Sequence, residues 1–410
     1  MTKAAWTYAL RSLARNGRRT ALSVVGIGIG CALALFMESV NRGRDELFAR
    51  MGAYSGAGHV RIVPAGWMER RDPRLRLADD AGALRIASSL PGVAAATTRA
   101  RTQALVAMGT HVVPVEITGV DPVAEPRTNR FVRTMARGRY LRAGEQGAVV
   151  IGQAIATRLA ADLDDEILVT AVGRDGDIDS ILLSIVGIVR TGSDEIDATI
   201  CQASLQDVER VTGLVGAGEI TLVLNDWRNT EAVKAALSRA VPPPDRVVTW
   251  GEISPDFQGH MDQDKAMSRV VSAIILVIVL LGVASAQLAA VLERRREFAV
   301  LAALGMRART ILALLVEEAL AIGVAGAGCG LLLGLPLVWY LARYGLDFSG
   351  YMGSSYSFQG VLIEPKIFGD FGMWTVWYAF GVSVAATALA SIYPAWFAAR
   401  TNPADALRVA

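Results

Sequence analysis

The chain has 410 residues, of which 52% are hydrophobic and only 20% charged, and its mean hydropathy is +0.37. This composition excludes an intrinsically disordered chain, which needs low hydrophobicity and high net charge, and it argues against a wholly soluble protein. The net charge of +2 gives no sign of a nucleic-acid partner, and three scattered cysteines are too few for a disulfide framework or a zinc cluster. No lysine follows a glycine as in a phosphate-binding P-loop, so this chain is not a P-loop ATPase by itself.

The first 19 residues are basic. They carry five basic residues and no acidic one, and the pattern from Ala4 to Arg15 predicts an amphipathic helix on the cytoplasmic membrane surface. A cleaved signal peptide is the alternative, but the apolar run that follows is too long and no small-residue cleavage site comes after it. We therefore expect a retained helix.

Four apolar runs are long enough to cross a bilayer, which takes about 20 residues of helix. We predict transmembrane helices over residues 20–41, 269–292, 311–342 and 374–398. Glu38 is the only charge in the first run, and Glu317 and Glu318 interrupt the third. Because an acidic group at the bilayer centre is costly, we expect all three at membrane interfaces.

The orientation follows from the basic residues of the short flanking segments. Residues 1–19 and the loop 293–310 each carry five basic residues, whereas the loop 343–373 carries two. We therefore predict that both termini, including the tail 399–410, and the loop 293–310 are cytoplasmic. The segment 42–266 and the loop 343–373 then face outward.

The outward segment 42–266 has the composition of a folded soluble domain. It carries 26 basic and 30 acidic residues among 225. Short β-type runs mix with helical patterns such as Leu205–Thr212 without strict alternation, which predicts an α+β domain rather than a doubly wound sheet. Its histidines, His59, His111 and His260, are far apart and lack metal-ligand spacing, so we predict neither a catalytic set nor a metal site.

Small residues recur at four-residue spacing in two of the apolar runs. This spacing lets helix backbones approach closely in a membrane. A dinucleotide-binding fingerprint is the alternative for the first set, but no strand precedes it and its surroundings are uniformly apolar. The predicted helix-packing residues are Gly26, Gly30, Gly326, Gly330 and Gly334.

The segment ERRREFAVLAALGMRAR, residues 293–309, follows the second apolar run. Its apolar stretch is too short to span a membrane and ends at a glycine. The pattern predicts a cytoplasmic helix with an apolar face for a partner, and a plain connecting loop is the alternative.

Three segments together resemble the MacB/FtsX/LolC–LolE superfamily of ABC transporter permeases. RRTALSVVGIGIGCAL (18–33) is similar to the first helix of that superfamily, and residues 293–335 resemble its coupling helix and third transmembrane helix. The end of the chain resembles the superfamily ending at Pro394, Ala395, Ala398, Pro403, Ala406, Leu407 and Arg408. GHVRIVPAGW (58–67) resembles the LolE-like branch most closely.

The resemblance implies a membrane protein with four transmembrane α-helices and a large α+β periplasmic core domain inserted between helices 1 and 2. It implies a bacterial inner-membrane permease subunit, not an enzyme, which holds no cofactor because ATP and Mg bind to a separate ABC ATPase subunit. The residues implied in coupling to that ATPase are Glu293, Arg294, Arg295, Arg296, Glu297, Phe298, Leu301, Leu304 and Gly305.

Further partners implied are membrane lipid and a second permease, either a second copy or a paralogue, contacting helices 1 and 2, where Gly26 and Gly30 have suitable spacing. Release of a lipoprotein or another amphiphile, with a periplasmic chaperone, is the leading function. Tripartite efflux of drugs or peptides with an adaptor protein and FtsX-like control of a cell-wall hydrolase are the alternatives.

Overall fold

The computed structural model describes residues 17–352, 356–358, 361–363 and 366–399. The amphipathic helix predicted within residues 1–19 lies outside the described residues as far as residue 16. The tail lies outside them from residue 400, with Pro403, Ala406, Leu407 and Arg408.

Helices and strands alternate irregularly along the chain. The helices are α1 (Gly17–Tyr54), α2 (Trp67–Arg70), α3 (Asp80–Ser89), α4 (Glu125–Thr128), α5 (Gln153–Leu159), α6 (Asp194–Asp197), α7 (Leu205–Thr212), α8 (Thr230–Ala240), α9 (Trp250–Ile253), α10 (Pro255–Glu293), α11 (Arg295–Ala303), α12 (Ala308–Tyr344), α13 (Ser349–Met352) and α14 (Met373–Ala399). The strands are β1 (Val60–Val63), β2 (Val93–Met108), β3 (His111–Val120), β4 (Met135–Gly138), β5 (Ala148–Gly152), β6 (Glu166–Val172), β7 (Ile178–Val189), β8 (Cys201–Ser204), β9 (Glu219–Leu224), β10 (Arg246–Thr249), β11 (Leu346–Asp347), β12 (Tyr356–Phe358), β13 (Val361–Ile363) and β14 (Lys366–Ile367).

The four long helices α1, α10, α12 and α14 are long and apolar enough to cross a membrane. The sequence predicted the apolar part of each, but α1 and α10 are longer than predicted. Helix α1 continues for 13 residues beyond residue 41, about 20 Å at 1.5 Å per residue, and α10 begins 14 residues before residue 269. Residues 42–54 contain no proline, and the first left-handed glycine, Gly56, follows the end of α1, so the polar sequence continues the helix.

The chain divides into two compact units. A helical unit comprises residues up to 45, residues 262–346 and residues from 367, and a strand-rich unit comprises residues 46–261 and 347–366. Each of α1 and α10 therefore contributes residues to both units.

The strand-rich unit contains a ten-stranded sheet that closes partly into a barrel. The strands follow the order β10-β1-β9-β2-β3-β8-β5-β7-β4, and β6 pairs with both β2 and β7. The ring β2-β3-β8-β5-β7-β6 is closed because β2, with 16 residues, pairs with β9 through its first half and with β6 through its second. Its interior holds apolar side chains such as Val106, Ile151 and Leu183, and α7 packs against it with Val208 and Val211.

The observed elements agree with the predicted α+β class. Helix α7 has its predicted bounds, and Ser204 caps its first turn by accepting from the Asp207 N–H. The first half of β2, which is rich in alanine and threonine, and the short strands β4, β8 and β10 were not predicted.

Candidate functional site

The segment predicted as a cytoplasmic helix is helical over Arg295–Ala303. Gly305, at a φ of 87°, then reverses the chain into α12, a backbone conformation that favours glycine. The plain loop considered as the alternative is therefore not what the structure shows.

The apolar face of α11 is divided between the chain itself and the surface. Phe298 is buried and packs with Val291, Ile311 and Leu315 of the flanking helices. Leu304 is 80% exposed, and Val300 is 46% exposed. Of the apolar residues implied in coupling, Leu304 is therefore available to a partner, whereas Phe298 holds α11 against its own helical unit.

Arg294 joins the start of α11 to α12. Its Nη1 donates to both carboxylate oxygens of Glu318 at 3.0 Å, its Nε donates to Glu297 at 3.0 Å, and its guanidinium lies 5.3 Å from the Phe298 ring centre. Because one guanidinium nitrogen donates to Glu318 of α12 and another donates to Glu297 of α11, Arg294 links the two helices. Glu318, which interrupts the third apolar run, is thus paired with a cation rather than isolated among apolar side chains.

The small residues of α12 lie against α1. A Cβ added at Gly326, Gly330 or Gly334 would lie 2.5–2.9 Å from Ile27, Cys31 or Leu35, respectively. In α1, a Cβ at Gly30 would meet Val279 of α10 at 2.8 Å, whereas one at Gly26 would meet nothing within 4 Å. A side chain at Gly26 would therefore have room within the described chain, and it is Gly28 that faces α12.

A cavity of about 670 Å³ lies in the helical unit among α1, α10 and α14. One part of its wall is apolar, with Ile27, Leu276, Val279 and Val382, and hydroxyl groups of Ser272, Ser383 and Thr387 interrupt it. The other end is charged, with Glu38, Arg42, Arg44, Asp45, Lys265 and Arg269. The cavity therefore matches a molecule with an apolar chain and a polar head.

Two buried ion pairs lie in the strand-rich unit. Arg99 donates to Glu125 at 2.9 Å, with both side chains at most 1% exposed, and Arg61 donates to Glu219 at 3.0 Å. Burial by itself raises the pKa of Glu219, but the neighbouring Arg101 and Arg61 lower it to about 2. Sequence reasoning missed all of these residues. The available signal was Arg99 and Arg101 at alternate positions of one strand, which places both on the same face.

His59 is buried beside this cluster, where its Nδ1 accepts the Leu224 N–H at 3.0 Å. Burial lowers the pKa of His59 to about 4, against the opposing effect of Asp226. The fold therefore favours the neutral ring. The contribution of the neutral ring to the free energy of unfolding is fully present above pH 6.5. It decreases as the pH falls toward 4, because the unfolded chain binds the proton first.

We expect His59→Asn, which keeps an acceptor that does not titrate, to reduce the loss of unfolding free energy between pH 7 and pH 4 by up to about 3 kcal/mol. Urea unfolding at both pH values measures this loss. His111→Asn, at an exposed position, is the control and should follow the parent chain. An unchanged pH dependence in His59→Asn would contradict the assignment.

No group of three or more histidine, cysteine or acidic residues among the described residues is arranged to hold a metal ion. The described chain instead offers a cavity among long apolar helices, the short helix α11 followed by an exposed leucine, and a separate strand-rich unit. These are features of a membrane permease.

Comparison with known proteins agrees with this class. The family model of MacB-like periplasmic core domains matches residues 20–240, and that of the FtsX-like permease C-terminal region matches residues 269–403. The chain belongs to this family of MacB-like and FtsX-like ABC transporter permeases. This family and the four long apolar helices point to a multi-pass protein of the inner membrane with a periplasmic domain, and family membership implies an ABC ATPase partner.

Two relatives illustrate the range of the family. The lipoprotein-releasing system transmembrane protein LolC of Neisseria meningitidis is 24% identical over 97% of this chain and 97% of its own length. The macrolide export ATP-binding/permease protein MacB of Hyphomonas neptunium is 27% identical over 82% of this chain but only 53% of its own length. Among solved structures, the periplasmic region of MacB from Actinobacillus actinomycetemcomitans aligns with a TM-score of 0.37 and 12% identity, covering 50% of this chain and 94% of that one.

Proposed function

We propose that this chain is the permease subunit that moves a lipoprotein or another amphiphile out of the inner membrane, driven by a separate ATPase. The cavity among α1, α10 and α14 carries this proposal, because it combines an apolar wall with a charged end. The similarity to LolC over 97% of both chains supports it. The Neisseria meningitidis relative is a LolC protein, whereas residues 58–67 predict that this chain belongs to the LolE-like branch. The assignment to that branch stays a prediction.

The orientation proposed from the basic flanks gives the cavity a direction. With the termini cytoplasmic, the charged end at Arg44 and Lys265 lies toward the outer leaflet, and the apolar wall at Ile27 and Val279 lies deeper. An acyl chain then occupies the apolar part and its head group the charged end. The amphiphile enters from the outer leaflet and leaves toward the periplasm, where a chaperone receives it.

Filling the cavity is expected to stop release. Ala34→Trp places an indole into the cavity wall, and we expect release of a fluorescent lipoprotein from proteoliposomes with the cognate ATPase to fall at least tenfold. Leu33→Trp changes the neighbouring residue, which is 36% exposed and does not line the cavity, and should keep near-normal release. Normal release by Ala34→Trp would argue against the cavity as the amphiphile site.

We propose that α11 and the residues next to it bind the ATPase and transmit its conformational change to the permease. Leu304→Asp places a charge on the exposed end of this segment, and we expect at least a tenfold loss of affinity for the ATPase, since one central apolar contact contributes more than about 1.4 kcal/mol. Co-purification and permease-stimulated ATP hydrolysis measure it. Val215→Asp, at a residue that is also 80% exposed but lies in the strand-rich unit, is the control. Equal affinity of both variants would contradict the proposed surface.

Tripartite efflux is a second candidate because the similarity to MacB also covers most of this chain. It requires an adaptor protein on the periplasmic domain. Co-purification of an adaptor, together with failure of the wild-type chain to release any lipoprotein, would favour efflux over lipoprotein release.

A further inference from the structure

Two arginine side chains hold the end of α1 inside the strand-rich unit. The Gly56 carbonyl accepts from Arg99 Nη1 and from Arg61 Nη2, the latter at 3.2 Å. The Ala57 carbonyl accepts from Arg61 Nε at 2.6 Å. The side chain of Arg99 is 1% exposed and that of Arg61 is 8% exposed, so these hydrogen bonds are shielded from water. We call Arg61 and Arg99 the arginine clamp.

Both arginines are themselves anchored to other elements of the unit. Arg99, on β2, pairs with Glu125 of α4, and Arg61, on β1, pairs with Glu219 of β9. Asn129 adds a further link, because it forms a β-bridge with Ser55 and its side chain donates to Glu125 at 2.9 Å. Gly56 and Ala57, which follow the end of α1 closely, are thereby tied to three strands and one helix.

Stability alone does not account for such an arrangement. Desolvating an ion pair often offsets the attraction between its charges, so well-packed apolar residues give similar stability. Carbonyl groups at a helix end can also be satisfied by water or by a glycine cap. The planar guanidinium differs in that it fixes the direction of several donors at once. Two of them on consecutive carbonyls fix both the position and the orientation of the chain leaving α1.

We propose that Arg61 and Arg99 are positioning residues that make the outer part of α1 and the sheet of the strand-rich unit move as one body. A displacement of α1 is then transmitted to the sheet. It is not absorbed by a conformational change in the loop that contains Gly56 and Gly58, both of which have positive φ. The consequence for transport rests on the proposed function, whereas the rigid link itself does not.

Spin labels at Arg50 on α1 and Val112 on β3, both exposed, measure the link in the full-length permease. Cys329→Ser removes the one cysteine that is not buried. We expect one narrow distance distribution for the parent chain. The triple variant Arg61→Met/Arg99→Met/Glu125→Leu removes the clamp, and Glu219 stays paired with Arg101. We expect its distance distribution to be at least twofold wider than that of the parent chain. An unchanged width in a folded variant would overturn the proposal.

The matched control is Arg101→Met/Glu116→Leu. It removes the Arg101–Glu116 pair of 3.0 Å and the Arg101–Glu219 pair of 3.1 Å, leaves Glu219 paired with Arg61 and every hydrogen bond to Gly56 and Ala57 in place, and should leave the distribution narrow. Widening in this control would overturn the assignment to the clamp. If the triple variant fails to fold, Arg61→Lys/Arg99→Lys keeps the charges without the planar fork, and the same widening is expected.

Release from proteoliposomes separates this inference from the proposed function. We expect the triple variant to keep ATP hydrolysis within twofold and to lose release at least tenfold. Normal release despite a wide distribution would overturn the role of the clamp in transport. If the wild-type chain itself releases no amphiphile, the proposed function fails, and the spin-label distances still decide whether the clamp makes a rigid link.

Discussion

Glu125→Ala is expected to destabilise the strand-rich unit by about 3–5 kcal/mol, the usual effect of leaving one member of a buried ion pair without its partner. Glu125 is completely buried, and its carboxylate accepts from Arg99 at 2.9 Å and from Asn129 at 2.9 Å. Removing it leaves the Arg99 guanidinium charged and shielded from water. Urea unfolding of the purified chain, followed by circular dichroism, measures the change in unfolding free energy.

Two controls test the cause of that loss. Glu116→Ala removes a carboxylate that pairs with Arg101 but is 40% exposed, and it should cost less than about 1 kcal/mol. Arg99→Met/Glu125→Leu removes both charges of the buried pair and should recover most of the lost stability. A double variant no more stable than Glu125→Ala would show that the loss does not come from the uncompensated charge.

Gly330→Val is expected to force α1 and α12 apart and to destabilise the helical unit by about 1–3 kcal/mol or more. A Cβ at residue 330 would lie 2.5 Å from the Cys31 Cβ and 2.6 Å from the Gly28 carbonyl oxygen. Backbone atoms cannot move aside without moving the helix. The fraction of monodisperse protein left after heating in detergent measures the effect.

Gly328→Val is the matched control on the same helix. A Cβ at residue 328 would meet nothing within 4 Å, so this substitution should leave the thermal stability within about 0.5 kcal/mol of the parent chain. Equal losses at residues 328 and 330 would point to a general intolerance of valine in α12 instead of close packing against α1.

The parts of the architecture that depend on a local sequence pattern were predicted well. Runs such as 269–292 are uniformly apolar, and hydrocarbon burial depends on composition alone, so each transmembrane helix was predicted. Glycines spaced by four residues, as at Gly326 and Gly330, lie on one helix face regardless of what that face contacts. The partner of that face, α1 at Ile27 and Cys31, was visible only in the structure.

The candidate site was predicted only in part. The segment 293–309 was found because it combines charge with a short apolar stretch, but its periodicity does not say which side faces inward. The structure places Phe298 within the helical unit and leaves Leu304 exposed. The cavity was not predicted, since its wall comes from three helices whose lining residues, such as Ala34 and Ser383, have no unusual pattern.

The membrane-spanning class, the number of long apolar helices and the family could be read from the sequence, because they follow from local composition and short segments. Only the folded chain shows how far α1 and α10 extend, which glycines pack against another helix, and that Arg61 and Arg99 hold Gly56 and Ala57. These depend on pairings such as Arg99 with Glu125, which lie on different elements. Whether a charge is buried and paired is set by what the rest of the chain packs around it, and no local pattern carries that information.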